Sequence, residues 1–518
     1  MQRQNISVWL LRYLSSYLGM LGILVLGSPI VGIFLTSMPV LATTDNYCRF
    51  SAEAIAQKNR QRQAAFAESA SPVAKQKYRR LIQQHAQQLQ QCRQQHWLQN
   101  QAIWLRLYPC DLKSGSLAKV LDRIANKGYN QVYLEVFYDG RVLLPADDNP
   151  TPWPSVVPES DRQNTDLLAS AIAKGRERGL QVYAWMFTMN FGYSYAQLPD
   201  RREVLARNGK NQTTLQITGK TGIHAQMGIG NHSEVFIDPY HTLARRDYAW
   251  LVDAVLQRQP DGVLLDYLRY KRGNGEDSVV SNVSELWIHG EASRQALYER
   301  SQNQKGKELI RRFLNQGYIT VSDLKALATM YPDEETPLWQ GRRLPVEAKK
   351  ADMSLSQRQN LLQQQLWYLS VAHAVQGVLD FFKEAIAPIQ KQDIPVGAVF
   401  FPGGNRPVGE SGYDSRLQAW DRYPKSVQWH SMLYAKCGNT DCIVDKLQRV
   451  REFASEDTQI IPALAGTWGE VTKNRPSLED QMAAIHQVAP EINSISHFAY
   501  SWQEPESDRK RKFCNLSP

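Results

Sequence analysis

Short apolar runs alternate with longer amphipathic segments from about residue 101 to the carboxyl terminus. Apolar runs bounded by turn residues predict β-strands, and apolar positions spaced every three or four residues predict helices. The predicted strands cover residues 102–108, 131–137, 181–187, 262–265, 396–401, 427–434, 459–464 and 495–500. The predicted helices cover residues 115–127, 166–178, 244–258, 357–390, 442–453 and 478–488. This alternation is typical of an α/β protein and predicts a (β/α)8 TIM-type barrel.

Two regions interrupt or precede this alternation. Residues 43–100 are rich in Gln, Ala, Arg and Lys, and Ser71-Pro72 divides them into two predicted helices. This amino-terminal helical extension is a spacer, a docking surface or a cap on the barrel. A long polar and helical insertion is expected at about 271–355, after the fourth strand. The barrel, with its insertion, then occupies residues 101–505.

The first 42 residues have the pattern of an export signal. Arg3 and Arg12 form a basic start, a long apolar stretch follows, and Val40-Leu41-Ala42 has the small residues that signal peptidases recognise. The segment is long for a signal peptide and contains Pro29, so its removal and its retention as an anchor through residues 9–42 both stay open. We therefore expect the protein in the periplasm or cell envelope, where this segment can contact the membrane.

All six cysteines follow the export segment, and an even number in an exported chain suggests disulfides. Two of them flank a four-residue loop after the sixth strand and are close enough to pair. Another two follow the first and eighth strands, which closure of a barrel makes neighbours. The last two would then join the amino-terminal helices. The expected pairs are Cys437–Cys442, Cys110–Cys514 and Cys48–Cys92.

The net charge and the composition of the chain limit the kinds of partner that we expect it to bind. The formal net charge is +9 and the pI about 9.1, which suits the polyanions of a cell envelope and would equally suit nucleic acid. Export argues against nucleic acid, and the basic residues are scattered without forming a stripe. The sequence has no Cys-x-x-Cys pair and no clustered histidines, so we expect neither a metal site nor a cofactor.

Asp266 is the leading catalytic candidate. It ends the apolar run 262–265, and the chain continues as Asp-Tyr-Leu-Arg-Tyr. Parallel α/β folds place their active sites at the carboxyl ends of strands, and a carboxylate buried there is disfavoured unless it has a function. The alternative is that Asp266 pairs with Arg269 and only closes a loop.

Several motifs resemble those of the bacterial glycosyl-hydrolase-like family 10, and the match extends over most of residues 101–502. The motifs are Gly128–Tyr133 with Leu143–Pro145, Arg178–Trp185, Phe236–Pro239, Asp261–Tyr270, and Gln418–Trp420 leading into Ser431–Tyr434. The resemblance implies an exported barrel that hydrolyses glycosidic bonds in envelope glycans, including peptidoglycan strands without stem peptides. The chain departs from the family pattern at Lys271, where a proline is usual, and in Pro402–Asn405, which ends the fifth strand without a carboxylate.

Glycoside cleavage usually needs two carboxylates, so Asp266 needs a partner. Glu135 lies near the carboxyl end of the second strand, where partial desolvation would raise its pKa towards that of a general acid. Glu470, in the loop after the seventh strand, is the rival. Asp139 and Asp238 are weaker candidates, and Asp238 precedes Pro239 in the manner of a cap for the helix that follows.

Aromatic residues near the strand ends predict a glycan groove, because sugar rings stack on indole and phenol rings. These candidates are Trp185, Tyr270, Tyr434, Trp468 and Trp502, and the alternative is that half of them belong to the barrel core. Arg269 and His497 are candidates for binding hydroxyl groups. Their alternatives are a salt bridge to Asp266 and a histidine satisfied within the core.

The sequence is therefore compatible with two functions. The first is an envelope glycoside hydrolase that acts through Asp266 and a glutamate. The second is a non-catalytic glycan-binding barrel, which keeps the groove but lacks a working pair of carboxylates. Such a module could lack a second carboxylate within about 10 Å of Asp266, beyond the separation that glycosidases use.

Overall fold

A computed structural model describes residues 47–138, 140–157, 165–218, 234–344, 353–434 and 437–514. The predicted export segment lies outside these residues. None of the helices in the described ranges combines the length and the hydropathy needed to cross a bilayer.

Eight parallel strands form a barrel around a packed interior. The strands are β1 (Asn100–Leu105), β2 (Gln131–Tyr138), β3 (Gln181–Phe187), β4 (Gly262–Asp266), β5 (Val396–Phe400), β6 (Gln428–Ser431), β7 (Ala463–Ala465) and β8 (Ser494–Phe498). β1 to β6 pair in chain order, β7 pairs with β8, and β1 pairs with β8. Parallel bridges from Trp429 to Ile460 and from Met432 to Ala463 join β6 to the β7 region at the remaining edge. The predicted (β/α)8 barrel is confirmed.

Helices surround the barrel and also form the amino-terminal extension and the insertion after β4. The helices are α1 (Ala52–Phe66), α2 (Pro72–Gln95), α3 (Ser116–Asn126), α4 (Leu167–Arg176), α5 (Gly192–Ala196), α6 (Thr214–Thr218), α7 (Thr242–Leu256), α8 (Glu291–Tyr298), α9 (Gln304–Gln316), α10 (Val321–Met330), α11 (Leu355–Gln390), α12 (Asp441–Arg451), α13 (Leu478–Val488), α14 (Tyr500–Gln503) and α15 (Pro505–Lys512). The amino-terminal extension supplies α1 and α2, and the insertion after β4 supplies α8 to α10.

Short strands complete the structure outside the barrel ring. A two-residue strand, Arg141–Val142, pairs antiparallel with the end of β2. A small antiparallel sheet joins the insertion to the loop after β5. The strands of that sheet are Val279–Val280, Pro407–Val408 and Gly412–Asp414. β7 begins later than predicted because Pro462 has no backbone N–H to donate to a ladder.

Large aromatic side chains fill the barrel. The Trp104 and Trp185 rings lie 4.6 Å apart, edge to face, and Tyr133 packs 5.3 Å from the His430 ring. A Cβ atom at Gly397 would lie 2.5 Å from that ring, so β5 needs glycine at this position. Because the interior is packed in this way, the open end of the barrel is where a substrate can approach the strand ends.

Buried charges fasten the amino-terminal helices to the barrel. Asp122 of α3 accepts hydrogen bonds from Arg62 of α1 at 3.0 Å, from Tyr78 of α2 at 2.7 Å and from Arg178 at 2.9 Å. The carboxylate is fully buried and paired on both oxygens, as a buried charge requires.

All three predicted disulfides are confirmed. The Cα atoms are 5.8 Å apart in Cys48–Cys92, 5.3 Å apart in Cys110–Cys514 and 6.4 Å apart in Cys437–Cys442. The second pair joins the loop after β1 to the end of the chain beyond β8, as the neighbourhood of these two strands predicts.

Candidate active site

Asp266 lies at the carboxyl end of β4, in the mouth of the barrel, and only 7% of it is exposed. Its Oδ1 accepts a 2.6 Å hydrogen bond from the Tyr267 backbone N–H, and its Oδ2 accepts a 3.2 Å bond from Trp185 Nε1. Burial raises the pKa of Asp266 to about 6, although the charge of Arg269 and both hydrogen bonds act in the opposite direction. A carboxyl group with this pKa can hold a proton in mildly acidic solution.

Glu135 is the second carboxylate of the mouth. It is 1% exposed on β2 and forms a two-bond pair with Arg106, in which Arg106 Nη2 donates to Oε1 at 3.0 Å and Nε donates to Oε2. A guanidinium held in this geometry favours the ionised carboxylate. Glu135 is in register with Trp185 on the neighbouring strand, and the Trp185 indole donates a hydrogen bond to Asp266. Trp185 is therefore a neighbour of both carboxylates.

The strand order sets the spacing of these two carboxylates. β2 and β4 have only β3 between them, so their backbones lie about 10 Å apart. Two side chains that point inwards from such strands can approach the separation of about 5 to 10 Å that glycosidases use.

Tyr267 lies among several charged groups. Its backbone is left-handed, with φ 57°, and the Arg269 guanidinium lies 4.4 Å from the centre of its ring. Burial raises the pKa of the Tyr267 phenol, and the charges of Glu234, Asp266 and Glu135 raise it further against the effect of Arg269. Three carboxylates therefore lie within electrostatic reach of one hydroxyl group.

Sequence reasoning missed Glu234 and Arg106. Glu234 follows no strand, and its carboxylate lies 3.9 Å from Lys271 Nζ, the residue that replaces the usual proline of the family. Arg106 continues β1 at the position two residues after Trp104, so the alternation of side chains along the strand was a signal for its inward direction.

Four other candidates lie in or beside the mouth. Trp185 is buried beneath Asp266 and positions that carboxylate through its indole N–H. Arg269 stacks on Tyr267, and no ion pair joins it to Asp266 within the described part of the chain. Tyr434 packs 5.6 Å from the Phe498 ring, and Trp502 is half-buried 6.3 Å from the same ring.

Three other candidates differ in their burial and contacts. Tyr270 is fully buried and donates a 3.3 Å hydrogen bond to the Ala374 carbonyl of α11, so it packs outside the barrel. Glu470 is exposed on its loop. The Trp468 indole donates to Tyr129 at 3.0 Å, and Arg49 stacks 3.9 Å from its ring centre. The amino-terminal extension thus packs against the half-buried Trp468, whose contact with a glycan stays a prediction.

Two polar candidates also have structural partners. His497 bonds Tyr129 at 2.9 Å on the outer side of β8, and burial lowers its pKa to about 3, so it is neutral. Asp238 accepts from the backbone N–H groups of Tyr240 and of Ser293 in α8, both at 3.0 Å. It therefore caps the insertion helix α8, whereas His241 caps the helix that follows. Asp139 lies outside the described residues.

Metal-binding residues are not grouped in this part of the protein. Across the described ranges, no set of three or more His, Cys, Asp or Glu side chains converges in a way that could hold an ion. The groups described at the mouth are carboxyl, guanidinium and phenol groups.

The barrel's first half carries the family relationship. Residues 96–297 match the family model described as Glycosyl hydrolase-like 10. The match contains Glu135 and Asp266, and it confirms the resemblance for the motifs between residues 128 and 270. The protein therefore contains a glycoside hydrolase-like barrel. No curated protein matches the chain.

Solved structures with a similar arrangement are distant. A GH18 chitinase from Pseudoalteromonas aurantia is 11% identical with a TM-score of 0.35, and the match covers 80% of this chain and 99% of the chitinase. A GH20 exo-β-N-acetylglucosaminidase from Vibrio harveyi is 9% identical with a TM-score of 0.37 over 80% and 52% of the two chains. An α-galactosidase from Lactobacillus brevis is 10% identical with a TM-score of 0.38 over 84% and 43%. Similarity at this level carries no argument about substrate or mechanism.

Proposed function

We propose that this protein is an exported glycoside hydrolase that cleaves glycosidic bonds in a cell-envelope glycan, such as peptide-free peptidoglycan strands. One observation carries the proposal: the mouth holds two buried carboxyl groups whose surroundings favour opposite protonation states. Asp266 is desolvated with its pKa raised to about 6, and Glu135 is bound to Arg106. In glycosidases, one carboxyl group of such a pair donates the proton, and the other acts as the ionised carboxylate.

Asp266 is the proton donor in this proposal. Its protonated oxygen faces the leaving group, and protonation of the glycosidic oxygen lets the bond to the anomeric carbon break. Glu135 stays ionised opposite the positive charge that develops on the sugar, and water adds to the anomeric carbon with loss of a proton, which completes the hydrolysis. The sequence alone predicts Glu135 as the general acid. The Arg106 pair favours an ionised Glu135, and the desolvated site favours a protonated Asp266.

A pH dependence follows from these assignments. Since the donor must hold its proton, kcat/KM should fall as pH rises through about 6, the pKa of Asp266.

Export is part of the proposal and rests on the apolar segment before residue 43. The three disulfides support it, because such bonds persist in oxidising compartments. Fractionation of cells expressing the protein tests it: we expect the chain in the periplasmic or membrane fraction, and recovery in the cytoplasm would contradict export.

The second candidate is a non-catalytic glycan-binding barrel. It is favoured by the loop Pro402–Asn405 after β5, which contains no carboxylate. In that case the pair of Glu135 with Arg106 and the bonds to Asp266 would serve only to satisfy buried charges.

Incubation of the purified protein with peptide-free peptidoglycan and other envelope glycans separates the two candidates. We expect new reducing ends and shorter products by mass spectrometry, and no products from Asp266→Asn. Sedimentation with the insoluble glycan measures binding in parallel. Binding without products, in wild type and variant alike, would refute hydrolysis and establish the binding barrel.

A further inference from the structure

A two-residue hairpin projects beside the mouth after β7. Thr472 and Arg475 exchange backbone hydrogen bonds of 3.0 Å in both directions, and the two residues between them, Lys473 and Asn474, have φ of 51° and 58°. A turn with both central residues left-handed matches the twist of a hairpin, but a lysine in this conformation is disfavoured. Such backbone geometry persists where surrounding structure holds it, and it is common at ligand sites.

This hairpin places two cations beside Trp502. The Arg475 guanidinium carbon lies 5.1 Å from the centre of the indole ring, and Lys473 Nζ lies 5.9 Å from it. Lys473 is exposed, and Trp502 is half-buried at the start of the segment after β8. The half-buried indole therefore has two positive charges close to its ring.

Arg475 is buried without an anion. Only 7% of it is exposed, its Nε has no hydrogen-bond partner, and no ion pair involves it among the residues the structure describes. A buried guanidinium loses hydration that only hydrogen bonds or a counter-charge can replace. A ligand with an anionic group would supply both the hydrogen bonds and the counter-charge.

The hairpin adjoins the candidate active site. The Trp502 and Tyr434 rings both contact the Phe498 ring, at 6.3 and 5.6 Å. The charges of Asp266 and Arg475 both act on the Tyr434 hydroxyl, the first raising its pKa and the second lowering it. A glycan bound with one sugar near Asp266 can therefore place another sugar on Trp502.

We infer that Trp502, Arg475 and Lys473 form a subsite for a carboxylate-bearing sugar of the glycan substrate. The inference rests on the proposed function. The indole stacks on the C–H face of the sugar ring, the guanidinium binds the carboxylate through two parallel N–H donors, and Lys473 adds a second charge at the rim. The family match ends at residue 297, so this subsite belongs to the part of the chain outside it.

Two forms of one glycan test the charge requirement. Peptide-free peptidoglycan strands are compared with the same strands after their carboxylates have been converted to neutral methylamides. Dissociation constants are measured by calorimetry in the Asp266→Asn background, so that turnover does not consume the ligand. We expect the charged strands to bind at least about tenfold more tightly, as hydrogen bonds to charged groups predict.

The variants separate recognition from folding. Arg475→Gln should weaken binding of the charged strands about tenfold and leave the neutral strands within about twofold, whereas Arg475→Lys should retain part of the preference. Lys473→Gln changes an exposed side chain and should reduce binding of the charged strands alone by about two- to threefold. Lys391→Gln, an exposed lysine after α11, is the matched control and should change neither constant.

Three outcomes decide the matter. Equal affinity of the parent for both strands, or an equal loss on both in Arg475→Gln, overturns the subsite. If the wild type cleaves charged and neutral strands with the same kcat/KM, the proposed function stands and this inference is wrong. If the wild type neither cleaves nor binds either strand, the proposed function fails and the subsite fails with it.

Discussion

Asp266→Asn should change the stability of the protein in a pH-dependent way. The pKa of Asp266 is about 6 in the folded protein and about 4 in an unfolded chain. Between these values the folded state binds more protons than the unfolded state, so this group makes the protein less stable as pH rises from about 4 to 6. A shift of about two units corresponds to about 3 kcal/mol, present in full at pH 7 and absent at pH 4.

Asparagine cannot ionise, so it removes the loss of stability above about pH 6, but it also loses the hydrogen bond from Trp185. Its carbonyl oxygen can still accept the bond from the Tyr267 backbone, which is 2.6 Å long in the parent, while its NH2 group would face the Trp185 N–H. One lost hydrogen bond costs about 1 kcal/mol. The expected net effect is a gain of about 1 to 2 kcal/mol at pH 7 and a loss of about 1 kcal/mol at pH 4.

Denaturant unfolding of wild type and variant at pH 4 and pH 7 measures this difference. Asp238, whose pKa burial also raises to about 6, is present in both proteins and cancels in the comparison. Asp333→Asn, the same substitution at an exposed position, is the control and should change stability by less than about 0.5 kcal/mol. An Asp266→Asn effect of the same sign and size at both pH values would refute the reasoning.

Three further substitutions test other parts of the account. Arg106→Gln removes the guanidinium that forms two hydrogen bonds with the buried Glu135 and should cost about 1 to 3 kcal/mol of stability by denaturant unfolding, since the arginine is partly exposed. Gly397→Ala brings a methyl group against the His430 ring and should lower the free energy of unfolding by about 1 to 3 kcal/mol. Cys514→Ala opens the terminal disulfide and should lower it by about 2 to 4 kcal/mol when unfolding is measured without reductant, so that the other two disulfides stay intact.

The barrel and Asp266 could be predicted from sequence because their signals are local. The run 262–265 is apolar on both faces of the strand, and the first polar residue after it marks the strand end. Glu135 was found in the same way, since it alternates with apolar neighbours on β2. The disulfide between Cys110 and Cys514 followed from closure, a property of the whole fold that needs no detailed geometry.

The roles of individual side chains depended on contacts that the sequence does not encode locally. Trp468 lies in a glycine-containing loop, as a glycan-binding residue would, but Arg49 from the distant amino-terminal segment covers its ring. Tyr270 was expected at the rim, yet the left-handed backbone at Tyr267 breaks the alternation and Tyr270 packs against α11. The pairing of Glu135 with Arg106 needs the barrel register, and it is one reason why we propose Asp266 as the acid.

The most direct test of the account is the dependence of the two carboxylate variants on the leaving group. The measurement is kcat/KM of Asp266→Asn and Glu135→Gln on a glycan that the wild type cleaves and on an aryl glycoside of the same sugar with an activated leaving group. Activated leaving groups hardly need a proton donor, so Asp266→Asn should be inactive on the glycan but recover on the aryl glycoside, while Glu135→Gln should be impaired on both. Wild-type turnover of the glycan by Asp266→Asn would contradict the assignment. Recovery by Glu135→Gln alone would move the donor to β2, and normal turnover by Glu135→Gln together with loss in Glu470→Gln would move the second carboxylate to the loop after β7.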